Sequence, residues 1–158
     1  MQNIVVAYFS ASGVTKKLAD KLAKVSEADV FEIQAKTPYT DADLDWQNEN
    51  SRSSVEMSNR DCRPAIRTGI SDISQYDIIL IGFPIWWYRE PSIIDTFLET
   101  YDFHDKTIIP FATSGGSGLG DTAKNIAALA AGAKVKDGRC FRAGVSESEL
   151  AHWVKTVL

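Results

Sequence analysis

The chain has 158 residues, 44% of them hydrophobic and 24% charged, and a formal net charge of −4. That length suits one domain that buries roughly two-thirds of the surface its unfolded chain exposes, and no apolar run approaches the ~20 residues that cross a bilayer. The acidic balance argues against the basic face of a nucleic-acid binder, and the absence of a charged-then-apolar leader after Met1 makes the cytoplasm the expected compartment.

Val5 to Phe9 is a continuous apolar run, the pattern of a strand buried on both faces of a parallel sheet. Val14, Leu18, Leu22 and Val25 then recur at helical spacing. Asp29 to Gln34 alternates and predicts a more peripheral strand, and Ile78 to Phe83 is the strongest strand signal. Between them lies Ala35 to Tyr76, too long for a plain connection; a helix is expected near Asp41 to Asn50, followed by an irregular polar excursion. Pro91-Ser92 starts a helix that carries Ile93, Ile94, Phe97, Leu98 and Tyr101.

Ile108 to Ala112 predicts a fourth strand, in which Pro110 is unexpected for a central position. Asp121 to Ala131 reads as a helix ended by Gly132, and Lys134 to Phe141 as a weak last strand. Ser146 and Glu149 form a capping box ahead of Leu150, Trp153, Val154 and Val157. Five alternations of strand and helix call for an α/β fold, a parallel sheet with helices on both faces. Cys62 and Cys140 have no metal or redox spacing and are expected as free thiols.

Three loops at strand ends carry the chemistry. Ser10-Ala11-Ser12-Gly13-Val14-Thr15 passes from a strand into a helix N-terminus, where unpaired N–H groups and the helix dipole favour an anion. Gly13 permits close approach, and Ser10, Ser12 and Thr15 offer hydroxyls; Lys16 and Lys17 point towards solvent. A Walker loop and the three-glycine dinucleotide fingerprint both fail here. Pro84-Ile85-Trp86-Trp87-Tyr88 offers two indoles to a flat ring. Thr113-Ser114-Gly115-Gly116-Ser117-Gly118 offers small side chains and N–H groups to a polar ring edge. In a sheet of order 2-1-3-4-5 the ligand site lies between the first and third strands, where these loops become neighbours.

On these residues the chain resembles the flavodoxin family over nearly its whole length. The family's phosphate loop, Thr/Ser-x-Thr/Ser-Gly-x-Thr, is matched by Ser10, Ser12, Gly13 and Thr15. The resemblance implies a flavodoxin-like three-layer sandwich with a five-stranded parallel sheet, and non-covalent FMN. It implies cofactor contacts from Ser10, Ser12, Gly13, Val14, Thr15, Pro84, Ile85, Trp86, Trp87, Thr113, Ser114, Gly115, Gly116 and Gly118, with Trp86 as the stacking residue.

The implied function is electron transfer between redox partner proteins by a monomer or weak dimer. The alternative is an NAD(P)H-dependent quinone or nitro-compound reductase with a small acceptor. The sequence departs from the family pattern in three ways. The third loop lacks the tyrosine that covers the other ring face. Trp87-Tyr88 replaces the glycine-bearing peptide beside the flavin N5, which predicts weaker stabilisation of the one-electron-reduced flavin. Ala35 to Tyr76, with Tyr39, Trp46, Arg52, Arg60, Arg63 and Arg67, either is a solvated connection with scattered arginines or folds over the flavin and shapes a pocket for a small acceptor or an anionic nucleotide. His104 and His152 are expected away from it, and the remaining carboxylates show no paired spacing.

Overall fold

The computed structural model describes residues 3–67, 73–114 and 118–158. Its strands are β1 (Ile4–Tyr8), β2 (Asp29–Glu32), β3 (Ile78–Pro84), β4 (Thr107–Thr113), β5 (Lys134–Val135) and β6 (Arg139–Phe141). Its helices are α1 (Val14–Ser26), α2 (Arg52–Ser58), α3 (Ser92–Thr100), α4 (Thr122–Leu129) and α5 (Glu147–Val157). The sheet is parallel in the expected order β2-β1-β3-β4-β5, with β6 also pairing β4.

The apolar run of β3 is explained by burial on both faces. Ile79, Ile81 and Phe83 join Ile93, Ile94, Phe97, Leu98 and Ile126 in one core layer. Ile78 and Leu80 face the other way, onto Leu18, Leu22, Leu150, Trp153 and Val154. Helices α3 and α4 therefore cover one face of the sheet, and α1 and α5 the other. Each fully buried aliphatic side chain contributes about 1.5–3 kcal/mol by area removed from water.

Pro110 lies in β4, opposite Ile81 of β3. On the other edge of β4, β5 pairs Thr107 and Ile108, and pairing resumes at Phe111 with β6. The proline, which has no N–H to donate, falls in that gap. Gly138, between the two strand pieces, sits so close that a Cβ there would lie 1.8 Å from the Pro110 carbonyl oxygen. The expected last strand is thus split in two by the proline beside it.

The helix expected near Asp41 to Asn50 is a run of turns instead, and the helix of this segment is α2, from Arg52 to Ser58. Short polar side chains take the backbone N–H groups that a helix needs. Thr40 N–H donates to Asp43 Oδ2 at 2.9 Å, and Asp43 N–H to Thr40 Oγ1 at 3.1 Å. Asp45 and Asn48 capture the N–H groups of Gln47 and Asn50 in the same way. Ser51, whose side chain accepts from Ser54 N–H, then caps α2. At α5 the Ser146 cap forms as expected, accepting from Glu149 N–H at 3.1 Å, but the Glu149 carboxylate faces Arg139 and Arg142 instead of closing the box.

Both ends of the long segment are held together. Ala35 bridges Ile66 in antiparallel fashion. Lys36 N–H donates to the Ala65 carbonyl at 2.8 Å, and Arg67 N–H to the Gln34 carbonyl at 2.9 Å.

Candidate functional site

The first loop is ordered by its own serine. Ser10 Oγ accepts from the N–H groups of Gly13 and Lys16, each at 3.1 Å. Gly13 precedes α1 with φ +93°, and the first-turn N–H groups of α1 have no intrahelical acceptor. Lys16 turns outward onto Asp20, as expected from the sequence. The Thr15 hydroxyl points inward: it is buried and pairs with Thr113 Oγ1 at 2.8 Å. That bond ties the first loop to the third.

The third loop is tied to the second in turn. Ile85 N–H donates to the Thr113 carbonyl at 3.0 Å. Gly120, with φ +57°, comes so near the second loop that a Cβ there would lie 2.6 Å from the Tyr88 carbonyl oxygen. Ser114 follows β4 and is half-buried. Gly118 is open, with no atom of the described residues outside its own chain neighbours within 4 Å of a Cβ position. Gly115 and Gly116 lie outside the described residues.

The second loop is a tight turn. Trp86 and Arg89 exchange backbone hydrogen bonds at 3.0 and 3.1 Å, and Trp87 and Tyr88 at its tip have φ +47° and +65°. Two positive φ angles match the mirror-image hairpin turn that glycine and asparagine favour; two aromatic residues hold it here at a cost of about 1–2 kcal/mol each. Trp87 is 44% exposed and Tyr88 74%. The Trp86 ring turns inward, edge-on to Phe9 and Tyr39, with both centroid distances 5.6 Å.

The first and second loops open onto one cleft of about 490 Å³. Ser12 lines it from the first loop, and Pro84, Ile85, Trp86, Trp87 and Tyr88 from the second. Leu44, Trp46 and Ser53 of the long segment form the facing wall, Trp46 being 69% exposed. Leu44 and Ser53 carry no sequence signal for this place, because the segment's path is set by long-range pairing. Tyr39 anchors that path. Its hydroxyl donates to Glu56 Oε1 at 2.5 Å, and the Arg52 guanidinium lies 3.8 Å over its ring. Burial and the Glu56 hydrogen bond push its phenol well above the usual range.

Behind the turn lies a buried charge cluster. Arg89, Glu90 and Asp95 are 7%, 0% and 3% exposed. Arg89 lies 3.6 Å from Glu90 Oε1 and 3.5 Å from Asp95 Oδ2, and Arg63 approaches the same Oδ2 at 3.9 Å. Asn125 of α4 donates to Glu90 Oε2 at 3.2 Å. Among the described residues, Glu90 Oε1 and Asp95 Oδ1 are buried without a hydrogen-bond partner. Burial first, and Glu90 second, push the Asp95 carboxyl up to about 8 against the opposing pull of Arg89 and Arg63. The sequence showed no carboxylate pairing; Glu90 and Asp95 meet because α3 starts directly after the turn and folds Asp95 back beneath it.

A flavodoxin family model matches residues 3–157 of the chain. The chain belongs to the flavodoxin family. Among solved relatives in structure, a Bacteroides uniformis ATCC 8492 protein classed as a flavoprotein is 44% identical, with TM-score 0.92 and 98% of each chain covered. A similarly classed Bacteroides eggerthii DSM 20697 protein is 42% identical, with TM-score 0.93, covering 99% of this chain and 98% of that one. A Lactobacillus acidophilus NCFM flavoprotein solved in complex with FMN is 25% identical, with TM-score 0.70, covering 98% and 99%. An uncharacterized NAD(P)H oxidoreductase of Escherichia coli (strain K12), YcaK, is 22% identical over 90 residues, 56% of this flavodoxin-family chain and 41% of that relative. Among the described residues no helix is long and apolar enough to cross a membrane.

Proposed function

We propose that this flavodoxin-family chain binds FMN without a covalent bond and passes electrons through it between partner proteins. The observation that carries the reading is the junction of three loops, distant in sequence, at the switch point of the sheet. Thr113 joins the other two loops by a side-chain and a main-chain hydrogen bond.

The residues fit the cofactor. The positive end of a helix suits a phosphate, and a cleft of about 490 Å³ walled by Pro84, Ile85, Trp86 and Trp87 suits a flat ring. That size lies within the common range for small-ligand sites. Ser10, Ser12, Gly13, Val14 and Thr15 would hold the phosphate. Pro84, Ile85, Trp86 and Trp87 would face the ring, and Thr113, Ser114, Gly115, Gly116 and Gly118 its polar edge. FMN, when bound, supplies the redox chemistry. The chain's own part is binding, orientation and the exclusion of water by Trp87, Tyr88 and the facing Trp46. The FMN complex of the Lactobacillus acidophilus relative supports this assignment.

A second reading, an NAD(P)H-dependent reductase of a small acceptor, is favoured by the wall that Leu44 and Trp46 give the cleft and by the partial match to an NAD(P)H oxidoreductase. One experiment tests both. The purified protein is extracted to identify its flavin and then mixed with NADPH or NADH in a stopped-flow cell. Bleaching only after a reductase protein is added supports the carrier, and rapid bleaching by the nicotinamide alone supports the reductase. A protein that neither carries nor takes up FMN refutes both.

A further inference from the structure

Of the tryptophan, tyrosine and phenylalanine side chains in the described residues, three are exposed: Trp46, Trp87 and Tyr88. All three line the cleft of about 490 Å³. They reach it from separate parts of the chain, Trp46 from the long segment and the other two from the tip of the second loop. Single exposed apolar residues are ordinary, but a group of them around one hollow marks an interaction surface or a ligand groove.

Neither wall presents its rings by default. Trp87 and Tyr88 hold left-handed φ angles that glycine or asparagine would take at little cost. The chain thus bears strain to place two rings in water, and strain of that kind persists where function requires it. Across the cleft, Asp45 Oδ1 accepts from Gln47 N–H at 3.1 Å, a local turn with Trp46 at its middle. Trp46 belongs to neither core layer, so this turn, and not packing, keeps it on the wall.

The lining selects the chemistry of a ligand. None of the described lining residues is charged. Lys16 of α1 turns onto Asp20, and Arg52, next to Ser53, is engaged by Glu56 and the Thr37 carbonyl. A second, charged ligand would lose its hydration here and find no counter-charge on these walls. Ser12 and Ser53 add a few polar groups to a surface otherwise of aromatic and aliphatic side chains, the mixture that orients a small molecule. A flat ring that meets such rings by face or edge gains more than the area it buries.

We propose that Trp46, Trp87 and Tyr88 form an aromatic mouth of the cleft that binds a flat, uncharged aromatic small molecule in addition to FMN. The inference rests on the FMN reading and names the class of small molecule that meets the cofactor.

The probes are naphthol, a flat uncharged double ring, and naphthalenesulfonate, the same ring with a negative charge. Each is titrated calorimetrically into the full-length protein at saturating FMN and into the apoprotein. Naphthol should bind the FMN-loaded protein, and naphthalenesulfonate roughly tenfold more weakly. Trp46→Ala should weaken naphthol roughly tenfold through the lost ring contact, whereas Val30→Ser, at an exposed apolar residue of β2 outside the cleft, should not. Tyr88→Gly should weaken it similarly while raising the melting temperature, a pairing of lost binding with gained stability that a merely structural ring would not give. Naphthol that binds the apoprotein and is displaced by FMN would overturn the proposal, since the rings would then only seat the flavin. Equal binding of the sulfonate, or an affinity unchanged in Trp46→Ala, would overturn it too. So would a dimer that Trp46→Ala dissociates in sedimentation, which makes the rings a contact between copies. A protein that takes up no FMN sinks the FMN reading; naphthol binding that Trp46→Ala abolishes there retains the aromatic mouth, and no binding overturns both.

Discussion

Replacing Asp95 by Asn should remove most of a pH dependence from the protein's stability. Asp95 has an ordinary value of 3.8, and in the folded chain burial and Glu90 push its carboxyl up to about 8. Between those limits the folded chain therefore holds one proton more than the unfolded chain. Its contribution is full below the lower value, falls as pH rises, and is gone above the upper one. The slope is about 1.4 kcal/mol per pH unit, so from about pH 5 to about pH 7 the native protein should lose about 3 kcal/mol through this group. An asparagine amide can donate to Glu90 as a protonated Asp95 carboxyl would, and it has no proton to release. Urea unfolding followed by tryptophan fluorescence across that range measures both proteins, and the difference between them isolates the group. The variant should equal the native protein near the acid end and exceed it by about 3 kcal/mol near neutrality. Parallel slopes for the two proteins, with Glu90→Gln also parallel, would refute the raised Asp95 carboxyl.

Further outcomes follow from the same geometry. Thr15→Val should cost about 1–3 kcal/mol by leaving the buried Thr113 hydroxyl unpaired, and the double variant Thr15→Val/Thr113→Val should recover much of it in thermal melts. Tyr88→Gly should raise the melting temperature by a few degrees, since glycine takes the left-handed turn position without the cost of about 1 kcal/mol or more. In the FMN-loaded protein the same variant should increase the fraction of one-electron-reduced flavin seen in a redox titration; an unchanged fraction would separate the turn from the flavin. Gly138→Ala should destabilise by more than about 2 kcal/mol, because its Cβ has no space beside the Pro110 carbonyl; denaturant midpoints would show it.

The parts of the fold legible in the sequence are those in which local pattern and burial agree. The run from Ile78 to Phe83 and the spacing of Leu18 and Leu22 need no distant partner to declare their faces. The long segment is illegible for the opposite reason. Asp43, Asp45 and Asn48 bind neighbouring backbone N–H groups instead of letting a helix start, and the bridge from Ala35 to Ile66 is a contact no local window contains. At the site, loop positions follow from topology, but the directions of side chains do not. The alternating strands bring Thr15 beneath the loops onto Thr113, and the aromatic neighbours Phe9 and Tyr39 turn Trp86 inward. The meeting of Glu90 with Asp95 depends on the sharp turn before α3, whose two positive φ angles fall on residues that rarely adopt them.

The arm that pairs Ala35 and Lys36 with Ala65 and Ile66 makes the intervening stretch a closed appendix whose entry and exit lie side by side. To the sheet, such an appendix is topologically a hairpin, whatever its length or content. Its residues can be exchanged, shortened or recruited from another sequence while β1, β3 and the three loops keep their register, at a closure entropy that grows only with the logarithm of loop length. The chain is thus built in two parts. One is a fixed frame that offers a cofactor seat. The other is an interchangeable wall, fastened at Tyr39, through which selection can change what meets the seat without rebuilding it.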